Sequence, residues 1–205
     1  RCGEPYGDSS ILPTYLLCKF AREKVTVALS GDGADELFGG YERYLVMNRL
    51  RMLDVLPEFL RRNFFGFAAR FFPRGGGDRT RSARIRRLLL AAGCSAAGRY
   101  ASLISGFPSA ELRKFCRFEI SPERPDIFER WFDASLPNAA SVFDYHVYLP
   151  NDILRKTDTA SMSVSLEVRA PFLEYRLTEF AESLPDDCKM QGMRRKVVLA
   201  EAFGD

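Results

Sequence analysis

A short apolar run that passes directly into a glycine-punctuated turn is the feature that most constrains the fold. Residues 25–29 (Val-Thr-Val-Ala-Leu) carry no charge and are rich in β-branched side chains, which is typical of a strand buried on both faces in a parallel sheet. Residues 30–33 (Ser-Gly-Asp-Gly) end the run, and Asp35 and Glu36 open a predicted helix. Such a turn lies at the carboxyl edge of the sheet, where open α/β folds bind ligands.

The residues of this turn indicate a nucleotide bound together with a metal ion. Glycines permit unusual backbone angles and let amide groups approach an anion, whereas Asp32, Asp35 and Glu36 would repel a bare phosphate. Magnesium reconciles the two, because it is held by one or two carboxylates together with substrate phosphates. Acidic residues also stabilise helix N-termini without any ligand, so spacing alone leaves both interpretations open.

The rest of the chain has mainly helical patterns. Apolar residues recur at helical spacing between polar starts and Pro or Gly stops. Pro150 is expected to end one helix, and Asp152 to begin the next. The predicted fold class is α/β with helix predominating, and 205 residues suffice for one domain with a sizeable core. Predicted helices cover 9–23, 41–53, 82–92, 99–107, 109–118, 126–134, 139–149, 173–184 and 194–203.

Composition excludes several classes of protein. Five scattered cysteines without a C-x-x-C pair favour free thiols over a zinc site or a disulfide framework. No apolar run approaches the ~18 residues that a membrane-spanning helix needs. His146 is the only histidine, and we expect it to be a packed core residue, because no partner for a catalytic triad is evident. A cytoplasmic protein is predicted.

Positive charge is concentrated in a block rich in phenylalanine. Nine arginines and one acidic residue lie between Arg61 and Arg87, a composition that can bind nucleic acid or an anionic membrane surface. The phenylalanines recur near helical spacing, so we expect them to pack inward while the arginines solvate the opposite face. On this basis neither a nucleic acid nor a membrane is predicted as a partner.

A second charged segment, residues 152–174, lies near the carboxyl end. It places Lys156, Asp158, Glu167 and Arg169 among small and apolar residues. If these charges are buried they must pair with one another, because an unpaired buried charge costs roughly 3–5 kcal/mol. Structural pairing and support of a functional site are both consistent with this pattern.

Three segments of the chain carry a recognisable pattern: residues 4–16 (EPYGDSSILPTYL), 27–38 (VALSGDGADELF) and 148–173 (YLPNDILRKTDTASMSVSLEVRAPFL). In this order they resemble the synthetase domain of glutamine-hydrolysing asparagine synthetases. The resemblance spans almost the whole chain and is weakest from Pro57 to Cys94; residues 99–107 and 196–202 fit more loosely. It implies the C-terminal part of an adenine-nucleotide α-hydrolase-like (ATP-pyrophosphatase) fold.

The resemblance implies an ATP-dependent ligase that amidates aspartate to asparagine. In this family ATP activates the aspartate side chain as an acyl-adenylate, pyrophosphate leaves, and ammonia from a glutaminase domain displaces AMP. By this resemblance Asp32, which is glutamate in some members, is the catalytic residue and Asp35 binds Mg²⁺. Contacts to ATP are assigned to Ser30, Gly31 and Gly33.

The chain also departs from the family pattern. It contains neither the phosphate-gripping loop of serine, glycines and aspartate nor the cysteine of the glutaminase domain, and a lysine-rich loop is missing as well. We therefore expect residues 1–205 to be a partial synthetase domain, without the phosphate-loop strand or the glutaminase domain, and inactive alone. The expected partners are ATP, aspartate and ammonia, and the resemblance is compatible with a homodimer of the full-length protein.

Two alternatives stay open at this point. One is a related enzyme that adenylates another carboxylate, such as a β-lactam-forming synthetase or an enzyme that modifies cell-surface polysaccharide precursors. The other is a helical scaffold without catalysis. The presence of both Asp32 and Asp35 argues against the scaffold, since a degenerate copy need not retain them.

Overall fold

The computed structural model describes residues 6–72, 80–104, 127–136 and 138–204. The chain divides into two compact units: unit 1 comprises residues 1–41 and 141–205, and unit 2 comprises residues 42–140. Helices predominate, with one small parallel and one small antiparallel sheet among the described residues. The predominance of helix is confirmed.

Unit 1 begins with the predicted helix, strand and turn. Helix α1 (Ile11–Arg22) leads to strand β1 (Val27–Leu29), and the turn leads to helix α2 (Ala34–Phe38). Strand β1 pairs in parallel with β2 (Glu167–Arg169), with Ala28 opposite Val168. The ladder continues one residue further, because the Ser30 amide donates to the Arg169 carbonyl at 2.8 Å.

The prediction that this strand is buried on both faces is wrong. Val27 is 49% exposed and Leu29 is 74% exposed, while Ala28 packs against the cluster of Cys18, Ala160 and Leu166. Among the described residues β2 is the only strand that pairs with β1, and the face of β1 that carries Val27 and Leu29 is exposed. Apolar residues of α1 are exposed as well: Leu12, Leu16, Leu17 and Phe20.

A long helical run carries the first part of the second charged segment, up to Met162. Helix α8 (Ala139–Phe143) passes into a π-helical segment (Asp144–Leu154) and then into α9 (Arg155–Met162). The prediction that Pro150 ends a helix is therefore wrong. Proline lacks an N–H group and clashes with the preceding turn of an α-helix; the wider π-type turn interrupts the usual hydrogen-bond ladder and accommodates it.

The remaining elements of unit 1 are short. The helix predicted over 194–203 begins later, because residues 194–195 form a strand and Lys196 has a left-handed backbone. Leu37, Phe38 and Ala181 form a second apolar cluster here. The elements are a 3₁₀ turn (Pro171–Leu173), α10 (Tyr175–Ser183), α11 (Asp186–Lys189), β3 (Met190–Gln191), antiparallel β4 (Arg194–Arg195) and α12 (Val197–Phe203).

Unit 2 is helical where it is described. Tyr44, Tyr100 and Phe132 are buried in it, and the rings of Tyr100 and Phe132 lie 5.5 Å apart. The helix predicted over 109–118 lies outside the described residues. The elements are α3 (Glu42–Arg51), a 3₁₀ turn (Met52–Val55), α4 (Glu58–Ala69), α5 (Arg81–Ala92), α6 (Ala96–Ile104) and α7 (Ile127–Trp131).

Three of the four phenylalanines of α4 do not pack inward, so the prediction is wrong for them, whereas Phe65 is half-buried. The inward side of α4 carries Arg61 and Ala69, which are 6% and 2% exposed. The Arg61 guanidinium can be buried because Asp54 pairs with it, and Asp54 also pairs with the fully buried Arg99 through atoms 2.6 and 3.2 Å apart. The outward side carries Phe59, Phe64 and Phe67, and Phe71 follows just beyond the end of α4; each of the four is at least 60% exposed.

His146 is also exposed, so its predicted core position is wrong. Its ring lies 5.1 Å from that of Tyr145. The described part of the chain contains no group of three or more His, Cys, Asp and Glu side chains that could bind a metal ion. None of the described helices is both long and apolar enough to cross a membrane.

We predict that Asp54→Asn destabilises unit 2 by about 2–3 kcal/mol, because it leaves two buried guanidinium groups without a counter-charge. Burial alone would raise the pKa of Asp54, but the hydrogen bond and charge of Arg99, with the charge of Arg61, lower it. Equilibrium unfolding in urea measures the decrease in the free energy of unfolding. Glu58→Gln, on the exposed first turn of α4, is the control and should change the free energy of unfolding by less than about 0.5 kcal/mol. Equal losses for the two variants would contradict the role given to Asp54.

Candidate active site

The turn after β1 adopts a geometry that only glycine tolerates. Gly33 has a left-handed backbone (φ 89°), and a Cβ atom there would strike the side chain of Leu173. A Cβ atom at Gly31 would meet nothing within 4 Å, so the surface over Gly31 is open. The hydrogen bond from Ser30 to Arg169 places the turn at the carboxyl ends of both strands, as the sequence predicts.

Asp32 is held by two hydroxyl groups. Ser30 Oγ and Thr157 Oγ1 each donate to Asp32 Oδ2 at 3.0 Å. Because both described hydrogen bonds use Oδ2, they orient the carboxylate and leave Oδ1 for another partner. Thr157, in helix α9, was not singled out by the sequence analysis; the available signal was its place in the second charged segment, next to Lys156.

Asp35 forms an ion pair with a lysine from the far end of the chain. Lys196 Nζ lies 2.9 Å from Asp35 Oδ1, and the two side chains remain 35% and 38% exposed. The pair lies against the backbone of Gly40, where a Cβ atom would collide with both side chains. Lys196 falls in a segment that resembles the family only loosely, and no local pattern marks it as a site residue.

The turn supplies only two carboxylates that could bind a magnesium ion. The turn offers Asp32 and Asp35, both partly exposed, and among the described residues no third acidic, cysteine or histidine side chain joins them in a metal-binding group. Magnesium needs no more than one or two protein carboxylates when phosphates supply the other ligands. The residues present are therefore compatible with a magnesium ion that arrives with a nucleotide.

Glu36 does not face the surface of the turn. It is 1% exposed and accepts a hydrogen bond from Tyr41 Oη at 2.8 Å. Burial raises the pKa of Glu36, and the charges of Asp144 and Asp35 raise it further, against the opposing effect of the Tyr41 hydrogen bond. Glu36 is part of the interior of unit 1, so the turn presents two acidic side chains rather than three.

Lys156 ties the loop before α1 to helix α9. Its Nζ lies 2.8 Å from Asp8 Oδ2 and 2.9 Å from Ser10 Oγ. Burial opposes ionisation of Asp8, but the hydrogen bonds from Lys156 and Ser10 outweigh it and lower the pKa of Asp8 to about 2. Tyr6 adds a second tie, because its hydroxyl donates to Asp152 Oδ1 at 2.7 Å; burial and this bond raise the pKa of Tyr6.

The other charges of the second segment are not buried. Glu167 and Arg169 are 49% and 71% exposed on β2 and pair with each other, with Arg169 Nε 2.6 Å from Glu167 Oε1. Asp158 is exposed. Of these four charges only Lys156 is largely buried, so they do not form a buried network; the segment contacts the turn through Thr157 and the loop before α1 through Lys156.

The chain is similar in sequence to one family of known proteins. All of residues 1–205 match the family described as Asparagine synthase. Asparagine synthetase [glutamine-hydrolyzing] 1 of Bacillus subtilis (strain 168) is 31% identical over 205 residues, covering 97% of this chain and 31% of that protein. A Mycobacterium tuberculosis (strain ATCC 25618 / H37Rv) protein, provisionally named as the same enzyme, is 34% identical over 212 residues, covering 98% of this chain and 30% of that protein. The chain thus spans about 30% of the length of these curated relatives. No solved structure matches the chain significantly.

We predict that Asp8→Asn lowers the free energy of unfolding by about 1–2 kcal/mol at pH 7, because the ion pair to Lys156 is lost. The folded-state pKa of Asp8 (about 2) lies below its ordinary value of 3.8. The wild-type advantage should therefore be complete above about pH 4 and disappear as the pH falls towards 2.

Urea unfolding at pH 7, 4 and 2.5 measures this difference. Asp158→Asn, on the exposed side of α9, is the control and should cost less than about 0.5 kcal/mol at pH 7. A wild-type advantage over Asp8→Asn that persists unchanged at pH 2.5 would contradict the ion pair.

Proposed function

The chain belongs to the asparagine synthase family. We propose that it supplies the acidic residues Asp32 and Asp35 to the active site of an ATP-dependent ligase that amidates aspartate to asparagine. The observation that carries this proposal is the placement of Asp32. Two hydroxyl groups orient its carboxylate at the carboxyl ends of β1 and β2, beside the open surface over Gly31.

The reaction needs a carboxylate to become a good acyl donor. An oxygen of the substrate carboxylate bonds to the α-phosphorus of ATP, the bond from that phosphorus to the bridging oxygen breaks, and pyrophosphate leaves. Ammonia then attacks the acyl carbon, AMP leaves, and one proton is released. Magnesium, when bound with ATP, offsets the charge that develops on the departing pyrophosphate.

Each residue of the turn has a role in this proposal. Asp32 uses Oδ1 to position the reacting groups, while Ser30 and Thr157 hold Oδ2. Asp35 would hold the magnesium ion, and the Lys196 ammonium, 2.9 Å from Asp35, would contribute positive charge where phosphates bind. Backbone contacts to ATP are assigned to Ser30, Gly31 and Gly33.

We predict that the 205-residue chain alone releases no pyrophosphate from ATP in the presence of aspartate, because its sequence contains no phosphate-gripping loop. Release is measured with a coupled pyrophosphate assay, with ammonia or glutamine supplied. Aspartate-dependent release from the isolated chain would show that the site is complete within these 205 residues and would contradict this expectation.

A chimaera tests the proposed function directly. The matching segment of the Bacillus subtilis enzyme, about 31% of its length, is replaced by this chain, and aspartate-dependent pyrophosphate release is measured. We expect the chimaera to be active. Asp32→Asn should lower the rate at least about a hundredfold, because a charged group that acts in the transition state is removed. An active Asp32→Asn chimaera would contradict the role of Asp32, and preference for another carboxylate in a substrate panel would identify a related ligase instead.

Thr157 offers a finer test in the same chimaera. Thr157→Val removes a hydrogen bond to a charged group and should lower the rate about tenfold to a hundredfold, whereas Thr157→Ser keeps the hydroxyl and should retain most activity. Thr159→Val, two residues further along α9, is the matched control. Equal losses for Thr157→Val and Thr159→Val would indicate a general effect on the helix and contradict the proposed role.

A further inference from the structure

The hairpin formed by β3 and β4 lies against the pair of glycines that follows α2. Met190 of β3 packs on Gly39, where a Cβ atom would lie 2.7 Å from the Met190 Cγ atom. Arg195 of β4 is the partner of Met190 in the hairpin, and its guanidinium donates a hydrogen bond to the Gly40 carbonyl at 2.9 Å. The hairpin is therefore joined to the glycine pair by an apolar contact and by a hydrogen bond from a charged group.

Gly40 is the residue at which Asp35, Arg195 and Lys196 meet. Its amide donates to the Asp35 carbonyl at 2.8 Å, and a Cβ atom on it would strike both the Asp35 carboxylate and the Lys196 side chain. Its own carbonyl accepts the hydrogen bond from Arg195. Two consecutive side chains, those of Arg195 and Lys196, therefore contact one residue beside the carboxylate that we assign to magnesium.

The backbone of Lys196 makes this double contact possible. Side chains of neighbouring residues in a strand lie on opposite faces, but Lys196 follows β4 with a left-handed backbone (φ 51°, ψ 41°). This conformation is unfavourable for a residue that has a Cβ atom, and it persists where the surrounding structure holds it. The hydrogen bond of Arg195, one residue earlier, and the ion pair with Asp35 both hold Lys196 in this way.

We propose that Arg195 is a positioning residue, which holds the Lys196 ammonium beside Asp35 for the ligase reaction. This inference rests on the proposed function, in which Lys196 contributes positive charge where phosphates bind. Arg195 acts through Lys196, because its described hydrogen bond goes to a backbone carbonyl rather than to an acidic side chain of the turn. Precise placement of such a charge matters, since a small displacement of a reacting or stabilising group lowers the rate strongly.

Arg194, the residue before Arg195, provides a matched control. It is an exposed arginine of the same strand, but its described ion pair is with Glu201 at 3.6 Å, and the two side chains are 59% and 62% exposed. An ion pair as exposed as this contributes little to stability. Arg194→Ala therefore removes the same charge from the same strand without removing the hydrogen bond to Gly40.

The position of Lys196 can be measured on the 205-residue chain without any activity. Acetylation with acetic anhydride, followed by peptide mass spectrometry, gives the reaction rate of each lysine, and the exposed Lys24 is the internal reference. Arg195→Ala should raise the rate at Lys196 about fivefold relative to Lys24, because the loss of a hydrogen bond shifts the equilibrium between held and released Lys196 by about this factor. Arg194→Ala should leave the ratio unchanged. An unchanged ratio in Arg195→Ala, or an equal rise in both variants, would overturn the proposal.

Kinetics of the chimaera with the Bacillus subtilis enzyme test whether Arg195 acts through Lys196. Arg195→Ala should lower kcat about tenfold and change the KM for aspartate by less than about twofold, because the loss falls on the transition state. Arg195→Lys keeps a cationic donor and should recover part of kcat, and Arg194→Ala should have no effect. In a Lys196→Gln chimaera, Arg195→Ala should lower kcat no further, since the group that it positions is gone. A second loss of equal size in that background would show that Arg195 acts independently and would overturn the proposal.

The two experiments separate this inference from the proposed function. An inactive chimaera that carries the wild-type chain would contradict the proposed function, whereas the acetylation rates would still decide whether Arg195 holds Lys196. An active chimaera in which Lys196→Gln changes nothing would overturn the inference and leave the role of Asp32 intact.

Discussion

The parallel pairing of β1 with β2 is the constraint on which the rest of unit 1 depends. It joins two strands of three residues each, and it brings the end of β1, where the turn begins, beside the end of β2. Because Leu29 lies opposite Arg169, the next amide, that of Ser30, bonds to the Arg169 carbonyl. Helix α9, which leads into β2, packs against α1, and its Thr157 then reaches Asp32.

The local part of this arrangement could be predicted from the sequence. A β-branched run, a glycine turn and an acidic helix start are encoded within residues 25–36, and the structure has a strand, a left-handed Gly33 and a helix there. Thr157 and Lys196 could not be predicted in the same way, because their contacts with Asp32 and Asp35 are made only after distant segments meet. The prediction that Pro150 ends a helix was wrong because the sequence pattern does not reveal a π-helical turn, which accommodates a proline that an α-helical turn would exclude.

Unit 2 shows a different limit of sequence patterns. Helical periodicity indicates which residues share a side of α4, but it does not indicate which side is inward. That choice follows from Asp54, whose carboxylate makes it possible to bury Arg61 and, 45 residues away along the chain, Arg99. At Arg61, Phe64 and Phe67 of α4 the usual ranking of arginine as an exposed residue and phenylalanine as a buried one is thereby reversed.

The discontinuity of unit 1 has a consequence for the order in which the protein folds during synthesis. Residues 42–140 form unit 2 and are continuous, so all its contacts become available as soon as that segment leaves the ribosome. Asp32 must wait for Thr157, 125 residues later, which is about 6–25 s at ordinary elongation rates. During that interval β1 has no β2 to pair with and offers an unpaired edge to any other nascent strand. The two halves of the site are therefore synthesised apart, and the strand that leads to Asp32 spends that interval without the partner that later fixes it.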